Sequence, residues 1–206
     1  KLLPAILKML RSPKLHDILD GQLLVHPRLG GVPQDLGGDQ VKAERAVRLF
    51  VAVAGARQVK VDLELFDALT APLEDLISTW LGSPEAKEGK VFLRPESFAD
   101  LLSTISASGV NGGKLPELLS GLFSQQHEES SPGYEVLAGG SMIDLCNMAH
   151  AFSLMSHDVE EPIRLLWTTA EPQLRSAKPH LALMMLNAVV RGGSQEVLTS
   201  PELLGL

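Results

Sequence analysis

Aromatic side chains are scarce in this chain: one Tyr, two Trp and six Phe make up 4% of 206 residues. A β-sandwich or barrel draws on aromatic and β-branched residues, so an apolar set led by Leu and Ala excludes that class. Cysteine occurs once, at Cys146. That rules out an intrachain disulfide and a cysteine-built zinc cage, and it suits a reducing compartment. No stretch reaches the ~18 uninterrupted apolar residues of a spanning helix; Leu49–Ala54 is short and Leu181–Val190 is interrupted by Asn187. Phosphate-loop, HExxH, nucleophile-elbow and kinase signatures are all missing. Gly30-Gly31, Gly37-Gly38, Gly112-Gly113, Gly139-Gly140 and Gly192-Gly193 therefore read as turns and helix stops. The chain opens on Lys1 rather than Met, as a fragment or processed form would, so any targeting peptide would precede it.

What the chain has is leucine: 37 positions, with a charged fraction of 21% that excludes a mainly disordered chain. The net charge of -7 is unevenly spread. Residues 1–60 carry ten basic against five acidic side chains (+5), residues 61–140 four against thirteen (-9), and residues 141–206 four against seven (-3). Only the first third could offer the basic stripe that phosphate binding needs.

Apolar residues recur at helical spacing through most of the chain. Leu2, Leu3, Ile6, Leu7 and Leu10 share a face, and Ser12-Pro13 reads as an N-cap with proline at the first helical position. Residues 26–40 have the Gly/Pro composition of a linker. Helices are then expected over 41–54, 63–81 (with Pro72 as a candidate kink), 96–108, 115–123, 142–155, 159–174 and 179–190, with a further start at Ser200-Pro201-Glu202. Helices arriving in pairs raise the question of internal repeats. AVRLFVAVAGAR from Ala46, LLSTISASGVNG from Leu101, LCNMAHAFSLMS from Leu145 and ALMMLNAVVRGG from Ala182 align with a small residue six positions in, at Ala52, Ala107, Ala151 and Ala188. Discounting polar insertions, their spacing is about that of helical-hairpin solenoids. The expected role of these four alanines is close packing between successive hairpins.

Residues 141–174 and 178–193 resemble the organellar helical-repeat superfamily of octotricopeptide and heptatricopeptide repeats and FAST-kinase-like, RAP-associated proteins. The resemblance is carried by Leu145, Cys146, Asn147, Met148, Ala149, His150 and Ala151, which follow the family's L-A-N-hydrophobic string. It is looser at 101–112 and 182–193 and loosest at 46–57. It implies a mitochondrial or plastid protein that binds RNA or sits in a large ribonucleoprotein assembly.

Few residues suggest chemistry. Cys146 and His150, four apart, would share a helix face as a thiolate–imidazole pair would, but both fall at packing positions of the repeat. His157, Asp158, Glu160 and Glu161 are acidic enough to suggest a metal, yet they lie where Asp158 would cap a helix and acids favour its first turn. Trp80 and Trp167 read as packing residues. Lys42, Arg45 and Arg48, at i, i+3 and i+6, form the one candidate phosphate-contacting stripe.

The reading is thus an all-α chain: N-terminal helices and linker over 1–40, then a short α-solenoid of stacked antiparallel hairpins over 41–206, near 41–81, 95–124, 141–174 and 178–206. No catalytic residue, metal ligand or cofactor is called for. The function expected is that of a non-catalytic scaffold subunit in a large organellar assembly, the mitochondrial ribosome first. The basic third would face rRNA if any part does, and no part would insert into a membrane. The alternatives are a free organellar RNA-binding repeat protein and a structural subunit of a respiratory complex or ATP synthase.

Overall fold

Three- and four-residue spacing of leucines dictates helices, and helices are what form. The computed structural model of the protein describes residues 4, 8, 38–56, 61–83, 92–110, 113–124, 137, 139–155, 159–192 and 195–198. Within them run α1 (Gly38–Ala54), α2 (Leu63–Leu81), α3 (Pro95–Ser108), α4 (Lys114–Ser124), α5 (Met142–Ser153), α6 (Glu160–Leu174), α7 (Pro179–Gly192) and a single turn, α8 (Gln195–Leu198). No strand occurs among the described residues, and the fold is all-α. No helix among them is long and apolar enough to cross a membrane. Pro4 and Lys8 are helical and exposed; the rest of the expected helical segment over 1–25 lies outside the described residues, as does the start at Ser200. Helix α1 begins at Gly38, so the linker expected to reach residue 40 ends earlier.

Local chemistry sets the helix ends. Asp62 accepts a hydrogen bond from the backbone N–H of Leu65 at 2.9 Å and caps α2. Ser141 and Asp144 form a reciprocal capping box at the start of α5. Gly109 closes α3 at φ 68°, a left-handed conformation that favours glycine. Helix α2 runs on past Pro72. The N-cap of α6 is Val159, with no side-chain cap, where Asp158 was expected; Asp158 itself lies outside the described residues.

The helices pack in two rows. Helices α1, α3, α5 and α7 touch in succession, and so do α2, α4, α6 and α8. The rows meet where α1 lies against α2, α4 against the Phe side chains of α3 and α5, and α6 against α5 and α7. Between them lies one contiguous apolar core. Rings mark the junctions: Phe50 and Phe66 meet edge to face at 5.8 Å. Phe123 of α4 sits between Phe98 of α3 at 5.5 Å and Phe152 of α5 at 5.3 Å, again edge to face. Trp80, packed on Phe92 at 5.1 Å, and Trp167 are both buried, as the packing reading expects.

The four aligned alanines do not share one environment. Ala151 and Ala188 are buried, but Ala52 and Ala107 face solvent. Helical phase gives the reason. Ala52 is two residues past buried Phe50 and Ala107 two past buried Ile105, about 200° around the helix and so on its far side. Ala188 is three past buried Met185 and stays on the inner face. The close approach between α6 and α7 is made instead by Gly192: a Cβ there would overlap Cδ1 of Ile163 and lie 3.4 Å from its Cγ1. The glycine expected to stop a helix lets two helices meet.

Candidate functional site

The basic triad does not make a stripe. Helix α1 turns Ala43, Ala46, Val47 and Phe50 into the core, and the same turn carries Arg48 inward to 8% exposure. Lys42 lies 4.0 Å from Asp39 in an i,i+3 pair, and Arg45 is half-buried with interactions of its own. Three cations within seven residues thus face three environments. Arg48, at 8% exposure and with interactions of its own, is the least accessible of the three, so Lys42, Arg45 and Arg48 do not offer a ligand equal faces.

The strongest polar constellation is one the sequence reading passed over. Glu44 of α1 is fully buried. One of its carboxylate oxygens accepts the backbone N–H of Arg94 at 3.0 Å. The other accepts the Ser97 hydroxyl at 2.6 Å and an Arg94 Nη2 hydrogen at 3.3 Å. Arg94 is the N-cap of α3 and offers no side-chain cap of its own, so Glu44, 50 residues earlier, caps that helix from outside. Both oxygens are spent holding α1 to α3, which makes this a structural centre and not an acid or base.

Cys146 and His150 do share a face of α5, but not a chemistry. The Cys146 thiol is buried and donates to the Leu181 carbonyl of α7 at 3.3 Å. Burial pushes its pKa up to about 11, so the reactive thiolate is suppressed. Nδ1 of His150 is buried, with no hydrogen-bond partner among the described residues. Glu161 is taken by Arg164 in a two-pronged pair at 2.6 and 3.0 Å. His157 and Asp158 lie outside the described residues. The Asp100 carboxyl is raised above its ordinary value by partial burial, then by the charge of Asp144 across the α3–α5 contact and by that of Glu96 one turn earlier on α3 itself. No cluster of three potential metal ligands occurs among the described residues.

No protein-family model, curated protein or solved structure matches the chain. Among the described residues, Leu63, Ile143, Leu154, Leu183 and Val190 are the exposed large apolar side chains, and Leu183 and Val190 lie on one helix. Helix α7 buries Leu181, Met185, Ala188 and Val189 on one side and leaves Leu183 at 68% and Val190 at 63% exposure on the other. The signal was present in the sequence. Between Leu181 and Val190 only Asn187 is polar, and a helix apolar all round is one that expects cover all round.

Proposed function

We propose that the chain is a non-catalytic scaffold subunit of a large organellar assembly, the mitochondrial ribosome first among the candidates, and that its two helix rows are a short α-solenoid. The observation that carries the scaffold reading is the succession of contacts α1–α3–α5–α7 and α2–α4–α6–α8. Such a succession offers extended faces and open ends to partners and spends its interior polar groups on holding helices in register. The organellar part rests on the resemblance of 141–174 and 178–193 to organellar helical repeats. With Arg48 buried, any contact to rRNA falls to other basic residues of the first third.

The deciding experiment is affinity isolation of the tagged native protein from mitochondria, followed by gradient sedimentation and identification of what travels with it. Ribosomal RNA and ribosomal proteins are expected. Co-migration with an oxidase or ATP synthase, or an RNA-bound but ribosome-free protein, would overturn the assignment.

A further inference from the structure

The exposed face of α7 carries a charge pattern as well as an apolar one. His180, Leu183, Asn187, Val190 and Arg191, all exposed, fall within one sector about 100° wide. Around the helix Leu183 and Val190 lie at one edge of that sector and His180 and Arg191 at the other; along the axis His180 precedes Leu183 and Arg191 follows Val190, with Asn187 between the two apolar residues. The stretch 175–192 holds Arg175, Lys178 and Arg191 and no acidic residue, in a chain whose net charge is -7. The first turn of α7 has no acidic side chain either, so its dipole and its basic neighbours add to one another at that end.

From this complementarity we infer that the outer face of α7 is a docking surface for an amphipathic helix of another protein, one that lays an apolar ridge on Leu183 and Val190 and presents acidic side chains at both ends. The inference deepens the scaffold reading and rests on it for the existence of a protein partner. The occupant takes the place that α5 takes on the opposite side of α7, continuing the row. A second copy of this chain fits poorly: a two-fold pairing of α7 faces brings the basic start of one helix to Arg191 of the other. Single-stranded RNA fits poorly as well, because the strip has no aromatic ring on which a base could stack.

The test uses the full chain and a fluorescein-labelled peptide of about sixteen residues, with leucines at i, i+3 and i+7 and glutamates at each end, read by anisotropy at low salt. A twin peptide carries lysines in place of the glutamates. The acidic peptide is expected to bind at least about tenfold more tightly than its twin. Leu183→Ser with Val190→Ser should abolish binding of both, and His180→Glu with Arg191→Glu should reverse the preference. All four positions are exposed, so the variants should keep the helical circular dichroism of the parent. Equal binding of the two peptides, binding that survives Leu183→Ser with Val190→Ser, or no binding at all overturns the proposal. So does a dimer in sedimentation equilibrium that those two substitutions dissolve, which would assign the face to a second copy. Peptide binding can fail while the native protein still co-sediments with ribosomes, which separates the loss of this surface from the loss of the scaffold reading.

Discussion

Replacing Glu44 tests whether one buried carboxylate sets the register of α1 against α3. Glu44→Ala leaves the Arg94 N–H and the buried Ser97 hydroxyl without their acceptor and strips the guanidinium of its counter-charge. A buried donor left unmet costs about 1–3 kcal/mol, and breaking a buried ion pair about 3–5. Two features lower the sum here: the Arg94 side chain is 36% exposed and can turn to water, and removing the carboxylate also removes its own desolvation cost. The expected loss is about 3 kcal/mol, or roughly 6–12 °C in Tm for a chain of this size. Glu44→Gln keeps the shape and one acceptor oxygen and should lose about half as much. Urea unfolding followed by circular dichroism gives the free energies, and a double-mutant cycle with Ser97→Ala isolates the 2.6 Å hydrogen bond. A Glu44→Ala loss under about 1 kcal/mol, or strict additivity with Ser97→Ala, refutes the reasoning.

Other substitutions probe the packing. Ala151→Leu should overpack the α5 core and cost about 1–3 kcal/mol, whereas Ala52→Leu should stay within about 0.5, and equal melts for the two would contradict the phase argument. Gly192→Ala should cost about 1–2 kcal/mol by pressing on Ile163, and the cost should shrink in an Ile163→Val background, which lacks the overlapping methyl; an equal cost in both backgrounds would point away from this contact. Iodoacetamide at pH 8 should label Cys146 at least about a hundredfold more slowly in the folded chain than in urea, because reaction must wait for opening; equal rates would contradict its burial. Burial lifts the thiol pKa from its ordinary 9.0 to about 11 in the folded chain, so its stabilising contribution is complete below pH about 9 and is lost as pH rises through about 11. Cys146→Ala should flatten the stability profile across that window.

The helix spans were legible because their signals are local. Leucine spacing, Asp62, Ser141 and Gly109 each act within a turn or two of the residue they position, and the expected and observed spans differ by at most three residues at either end, with 63–81 identical. What depended on the third dimension was hidden. Glu44 reads in sequence as one more acid on a charged helix, since its partners lie 50 and 53 residues away. Arg48 reads as a member of a cationic run until α1 is rotated onto its neighbours. The alanine alignment matched letters without matching phase, so two of the four fell on the solvent side. The outer face of α7 is the opposite case: its apolar run, Leu181–Val190 interrupted only by Asn187, is visible in the sequence as a helix, but which of its residues stay uncovered depends on the packing around it.

Phe123 touches Phe98 and Phe152 at once, edge to face with each. The two rows are therefore not independent sheets of helices, and residues 98, 123 and 152 cannot change independently. Phe123→Leu removes both ring contacts in one step, after which Phe98→Leu and Phe152→Leu have less left to lose. Phe98 and Phe152 stay buried whatever stands at 123, so what the three positions share is the energy of two ring contacts that one side chain supplies to two neighbouring helices.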